Sequence, residues 1–141
     1  MRIRPIADGD VDAVVTLWGA CGLTRPWNAP HDDIALARKT PQCEIFVGTD
    51  NDAIVASVLV GSDGHRGWIY YLAVDPDRQK YGLGREVMAH GEKWLRELGV
   101  PKVELMIRPE NDAVRQFYER IGYSVEDRIV MSRWVDGREG S

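Results

Sequence analysis

Apolar residues along the chain recur with two different periods, and the switches between them mark out the elements. Residues 2–6 read as a short first strand. Val11, Val14, Val15 and Trp18 then fall at i, i+3, i+4 and i+7, one face of a helix, with Asp8 placed to cap it. Two prolines exclude regular helix over 23–30, and a second helix is expected over 32–39. The pattern turns to β in the middle of the chain. Residues 44–48 and 53–61 are apolar and β-branched, and Thr49-Asp50-Asn51-Asp52 between them has the composition of a hairpin turn. A second turn over 62–67 leads into a strand over 68–74, which completes an antiparallel meander.

Helical periodicity returns at 82–98, where Leu83, Val87, Trp94, Leu95 and Leu98 share a stripe that Gly99 stops. A buried strand follows at 103–107. Strand, helix and strand at this spacing form a right-handed crossover, so the strands at 68–74 and 103–107 should be parallel neighbours. Asn111 opens a last helix, with Val114, Phe117, Tyr118 and Ile121 on one face, and Gly122 closes it. Residues 123–135 are expected to add one or two final strands. The fold class is therefore α+β, a mixed and mostly antiparallel sheet of six or seven strands with helices on both faces. One domain over 1–135 and a flexible tail over 136–141 are expected.

Composition narrows the function. The chain has 141 residues, 44% hydrophobic and 28% charged, which is ordinary for a globular domain. Lys plus Arg is 18 against 22 for Asp plus Glu, a net charge of −4 without a basic run, which argues against a nucleic-acid partner. No apolar stretch approaches the ~18 residues of a membrane span, and the N-terminus lacks the apolar core of a signal peptide. Cys21 and Cys43 are too few and too far apart for a metal site or a disulfide framework. They read as small core residues of a cytoplasmic protein.

The chemically informative segment is Leu72-Ala73-Val74-Asp75-Pro76-Asp77-Arg78-Gln79-Lys80-Tyr81-Gly82-Leu83-Gly84-Arg85. A strand ends, a polar loop turns, and two glycines open a helix. The first N–H groups of a helix lack intrahelical partners and carry partial positive charge, so they suit an anion. Gly82 and Gly84 let a phosphate approach the backbone, and Arg78, Lys80 and Arg85 add positive charge. Two familiar phosphate loops do not fit. The Gly-Lys-Ser/Thr of a P-loop is absent, and the third glycine of a dinucleotide fingerprint is replaced by Val87.

Gln79-Lys80-Tyr81-Gly82-Leu83-Gly84 instead resembles the Gln/Arg-x-x-Gly-x-Gly/Ala signature of the GCN5-related N-acetyltransferases (GNAT). Leu72-Ala73-Val74-Asp75-Pro76 is similar to the strand that precedes that signature. Asn111 with Phe117-Tyr118-Glu119-Arg120-Ile121-Gly122-Tyr123 is similar to the family's second motif. Arg25-Pro26-Trp27-Asn28 and Asp63-Gly64-His65-Arg66-Gly67 also resemble the YpeA-type branch. The resemblance implies acetyl-CoA as donor, no metal, and transfer of the acetyl group to a primary amine. It implies splayed strands at 68–74 and 103–107, with the backbone of Leu72, Ala73 and Val74 pairing with the pantetheine arm. It implies a pyrophosphate held by Gln79, Lys80, Tyr81, Gly82, Leu83, Gly84 and Arg85. Asn111 and Phe117 would contact the donor, and Tyr118 would sit near the thioester sulfur as general acid. Asn111 is equally suited to cap its helix, and Tyr118 to pack as a core residue. The two lie two helical turns apart and so share a face.

The acceptor side is thinly specified. Trp27 and Asn28 lie where the family shapes its acceptor pocket, and Tyr70 is a third candidate. The acceptor is a small-molecule amine or a protein N-terminus, and the chain acts as a monomer or a homodimer. The family's usual carboxylate base is missing from Trp68-Ile69-Tyr70-Tyr71, and Met106 stands at its other usual place. Glu104 shares the face of Met106, about 7 Å back along the strand. It is a candidate base, and no firmer one emerges. A chain that keeps the donor cradle and lacks a base also fits a non-catalytic acyl-CoA-binding sensor or regulatory module.

Overall fold

The computed structural model describes residues 1–139. The tail expected over 136–141 therefore falls partly, at 140 and 141, outside the described residues. Among the described residues there are five strands and four α-helices, in two compact units, Met1–Leu105 and the residues from 106 onward.

The first unit carries one sheet in sequence order: β1 (Arg2–Pro5), β2 (Cys43–Asp50), β3 (Ala53–Ser62), β4 (Gly67–Val74) and β5 (Val103–Leu105). All neighbours are antiparallel except β4 and β5, which run parallel as the crossover rule requires. The β2–β3 connection is a two-residue turn at Asn51 and Asp52. Both have positive φ (50° and 67°), the combination that matches the strand twist.

Helices α1 (Val11–Ala20) and α2 (Pro30–Lys39) pack on one face of the sheet. Val14, Leu17 and Trp18 of α1 and Ile34 and Ala37 of α2 join Ile45, Val47, Leu59 and Ala73 in one apolar cluster. Pro30 occupies the first turn of α2, where its missing N–H costs nothing. Asp8 does not cap α1. It sits in a short 3-10 turn and pairs with Arg38 across 2.8 Å, while Asp10 accepts the Ala7 N–H and holds Arg4 in a two-pronged pair. The opposite face is covered by α3 (Leu83–Glu97). Phe46 of β2 meets His90 and Trp94 edge-on there. Gly91 sits mid-helix, where a Cβ would come 2.8 Å from Val60 of β3, so the close approach of helix to sheet excludes a side chain.

The second unit contains α4 (Asp112–Arg120). The strands expected over 123–135 are absent, which reduces the sheet from the expected six or seven strands to five. Val125, Ile129, Val130, Met131 and Val135 are all exposed. Strand propensity measures packing on a pleated surface, and without a ladder partner it produces no strand. The strand expected over 103–107 likewise ends at Leu105, opposite Ile69, although β4 continues to Val74.

Candidate functional site

Strand β4 is longer than its partner. The parallel ladder joins Gly67, Trp68 and Ile69 to Val103, Glu104 and Leu105 and then stops. From Tyr70 to Val74 that edge of β4 has no paired strand among the described residues. On the other edge the Asp75 N–H donates to the Val55 carbonyl. Successive residues of a strand point their backbone groups to opposite edges, so the N–H and C=O of Val74, and of Leu72 before it, face the open side. The Val74 carbonyl is already engaged, accepting from the Cys21 thiol and from the Gln79 side-chain amide, each at 3.2 Å. Cys21 therefore touches the end of β4. Burial raises the pKa of both thiols, which disfavours the nucleophilic thiolate.

A bulge breaks the β3–β4 register between Ser57↔Ala73 and Leu59↔Tyr70, so Tyr71 and Leu72 lie opposite Val58 with no register partner. Tyr71 adopts φ of +52°, a conformation that side-chain-bearing residues rarely take. Three side chains hold it there. Its ring stacks on Trp18, and its hydroxyl donates to Asp33 at 2.7 Å. Ser57, fully buried, accepts from the Trp18 indole N–H at 2.9 Å and donates to the Tyr71 carbonyl at 3.2 Å. Burial and the bond to Asp33 raise the Tyr71 hydroxyl pKa well above its ordinary value. This network did not emerge from the sequence. An aromatic pair so far apart in the chain leaves no periodic signal.

Beyond β4 the chain makes a short 3-10 turn, Pro76–Arg78, capped by the Asp75 carboxylate, and then enters α3. Gly82 is the residue before that helix, at φ of +75°, with nothing within 4 Å of where its Cβ would stand. No side chain caps the helix. The first-turn N–H groups at Leu83, Gly84 and Arg85 thus form a backbone nest at an open surface. The charge around it is smaller than the sequence suggests, because Arg78 is bound by Asp50 and Asp75. A cavity of about 470 Å³ adjoins the nest, lined by Asp50, Val55, Asp77, Arg78, Tyr81 and Leu83 together with Met1.

In the second unit, Asn111 caps α4 by accepting the Val114 N–H at 3.3 Å, which leaves its side-chain NH₂ as a donor. Tyr118 is buried, with Phe117 and Tyr123 edge-on at 5.1 and 5.6 Å. Burial pushes its hydroxyl up to about 12. Among the described residues that hydroxyl has no hydrogen-bond partner, and no buried side-chain oxygen is left unpaired. The oxygen therefore reaches the surface.

The expected acceptor residues separate. Tyr70 lines a second cavity, of about 180 Å³, together with Trp68, Asp63, Cys43 and Leu59, whereas Trp27 and Asn28 are half-buried and do not line it. Glu104 is opposite Trp68 in the ladder, and its carboxylate is 3.5 Å from the Arg66 guanidinium. Among the described residues no group of three or more His, Cys, Asp or Glu could hold a metal, and no helix is long and apolar enough to cross a membrane.

The profile of the acetyltransferase (GNAT) family matches residues 12–123. The chain belongs to the GNAT family. An acetyltransferase of Pectobacterium atrosepticum is 41% identical over 140 residues, with 99% of both chains covered. An acetyltransferase of Sodalis glossinidius is 38% identical over 141 residues, again with 99% of both covered. Among solved structures, the aminoglycoside N-acetyltransferase AAC(6′)-Iy in complex with CoA shares the GNAT fold. It has a TM-score of 0.81 at 14% identity, with 95% of this chain and 94% of that one covered. An aminoglycoside acetyltransferase from an uncultured soil metagenomic sample, in complex with sisomicin, gives a TM-score of 0.76 at 19% identity, with 95% of each covered.

Proposed function

We propose that this acetyltransferase moves an acetyl group from acetyl-CoA to a primary amine by direct attack, with both substrates bound together. The observation that carries this reading is the open edge of β4. The backbone groups of Leu72 and the N–H of Val74 on that edge suit an extended amide-bearing chain added as a strand. The nest at Gly82 to Arg85 suits the pyrophosphate at the end of such a chain, with Gln79, Lys80 and Tyr81 on the approach. Donor complexes of a protein with the same fold, AAC(6′)-Iy with CoA, support the choice of ligand.

The bound donor supplies the acetyl group as a thioester. The protein's part is mostly positioning, for which well-oriented reactants gain up to ~7–11 kcal/mol. The N–H groups of Leu72 and Val74 on the open edge are the donors proposed for the developing oxyanion. An alkyl amine with pKa about 10.4 must lose a proton first, which costs about 4.6 kcal/mol at pH 7. Water carries that proton in this proposal, because Glu104, the candidate base, is engaged by Arg66. Asn111 and Phe117 are assigned to the donor. Tyr118 is assigned to the leaving sulfur, as general acid and hydrogen-bond donor. A hydroxyl near 12 is a weaker acid than a thiol, so most of its contribution is a hydrogen bond that tightens as the thiolate forms. With both thiols held protonated, an acyl-cysteine route is disfavoured.

The test is release of free CoA when the protein is offered acetyl-CoA and a panel of amines. Donor binding without turnover on any amine identifies the sensor instead.

A further inference from the structure

The cavity of about 180 Å³ beside Tyr70 lies on the α1–α2 face of the sheet, and its wall follows from the strand register. Ile45, Leu59 and Tyr70 are directly opposite one another across β2, β3 and β4, and Ile45 and Leu59 belong to the cluster under α1 and α2. One row along, Cys43, Gly61, Trp68 and Glu104 are opposite one another across four strands. Directly opposed residues share a face. Gly61 lines the floor of that row, where the Cys43 Sγ lies 3.3 Å from the position a Cβ would take. Trp68 and Tyr70 present two near-parallel rings, 22° apart in plane and 6.5 Å between centroids.

Asp63 stands at one end of this aromatic wall. One carboxylate oxygen accepts the His65 and Arg66 N–H groups at 2.9 and 2.7 Å, and the other accepts the Trp68 indole N–H at 3.1 Å. These three donors keep the carboxylate ionised and fixed against the indole. No cation pairs with it among the described residues. Arg66, whose N–H it accepts, directs its guanidinium to Glu104 and to the His65 carbonyl. A fixed, unneutralised carboxylate beside two aromatic faces is the chemistry that recognises an ammonium group. The opposite end of the wall, at Tyr70, adjoins the bulge at Tyr71 and Leu72.

We propose that this cavity binds a second, non-reacting ammonium group, so that the acceptor is a dication: an elongated diamine or a compound that presents two amines. The proposal rests on the acetyl-transfer reading for the role of the first amine. The reacting amine sits by the bulge, the methylene chain lies along Tyr70 and Trp68, and the far ammonium meets Asp63. Two residues of strand separate Tyr70 from Trp68, about 7 Å, and the carboxylate lies beyond the indole. Amines separated by fewer than about four methylenes cannot reach both ends.

Two measurements test it. The first is kcat/KM for α,ω-diamines of three to eight methylenes, each against the monoamine of equal length. The proposal expects a preference for diamines of at least about tenfold, corresponding to roughly 1.4 kcal/mol, confined to the longer chains. A preference below twofold at every length overturns it while leaving acetyl transfer intact. The second is calorimetric binding of the same diamines without acetyl-CoA, to wild type and to Asp63→Asn. Asn keeps an oxygen for the turn N–H groups and loses the charge together with the acceptor of the Trp68 indole N–H. Selective binding of long diamines by wild type, lost in Asp63→Asn, supports the cavity even if no amine is acetylated, in which case the acetyl-transfer reading alone fails. Equal binding by both proteins overturns the assignment of Asp63.

Discussion

The indole of Trp18 lies flat on the ring of Tyr71, with centroids 3.7 Å apart and planes within 4° of parallel. Tyr71 is the strained residue of the β4 bulge, and a backbone in the left-handed region costs on the order of 1–3 kcal/mol. The stacked indole, the Ser57 hydroxyl and the Asp33 carboxylate offset that strain. A helix on one side of the sheet thereby sets the direction in which the Leu72 backbone points.

Removing the hydroxyl at the centre of that network should be costly. Ser57→Ala leaves the buried Trp18 N–H without its acceptor, and a buried unsatisfied donor costs about 1–3 kcal/mol. A urea melt of the variant should show a loss of that size with an unchanged slope. Its kcat/KM should fall further than the stability loss explains, because the bulge relaxes. Stability and activity within error of wild type would separate the bulge from this network.

The helix nest predicts a clean separation of folding from donor binding. Acetyl-CoA should raise the melting temperature, as any ligand of the folded state must. Gly84→Asp places a carboxylate in the first turn of α3, where it favours the helix dipole and repels a pyrophosphate. The variant should melt at or above the wild-type temperature and lose the acetyl-CoA shift. A folded variant that keeps the full shift would place the pyrophosphate elsewhere.

For Tyr118→Phe the expected result is a kcat lower by about 10-fold to 10²-fold, at or below the low end of the range for a positioned acid. Because the hydroxyl has no hydrogen-bond partner among the described residues, its removal should leave a denaturant melt unchanged. Steady-state kinetics with chemistry shown to be rate-limiting provide the check. A kcat within twofold of wild type removes Tyr118 from the reaction.

Acid stability should depend on Asp10. The Arg4 hydrogen bonds lower its carboxyl pKa in the folded state below the unfolded value near 3.9. A depressed carboxyl contributes stability that is fully present above the unfolded pKa and is lost as pH falls through the folded one. The melting temperature of wild type should therefore drop faster below about pH 4 than that of Asp10→Asn, and the two curves should run parallel above pH 5. Parallel curves throughout would show that the Arg4–Asp10 pair contributes nothing measurable.

Much of the fold is written in periodicity. The helix faces at Val14 and Trp18 and at Val87 and Leu95, the hairpin at Asn51-Asp52, and the parallel β4–β5 pair all follow from local patterns. The loop proposed for the donor stands out for the same reason, since Gly82 and Gly84 sit between a strand and a helix within a few residues. Three features were not. Residues 123–135 carry strand-forming side chains, but strand formation depends on a partner edge that local sequence does not specify. The Trp18–Ser57–Tyr71–Asp33 network joins four distant segments. The row of Cys43, Gly61, Trp68 and Glu104 exists only once register is fixed, so Asp63 and Trp68 read as turn and strand residues until the sheet brings them beside Tyr70.

The most direct test of acetyl transfer is the mass of the acceptor after incubation with acetyl-CoA and the protein. A gain of one acetyl group on an amine nitrogen, with stoichiometric release of free CoA and loss of both in Gly84→Asp, is the predicted result. Tight acetyl-CoA binding with no acetylated product from any mono- or diamine would contradict it.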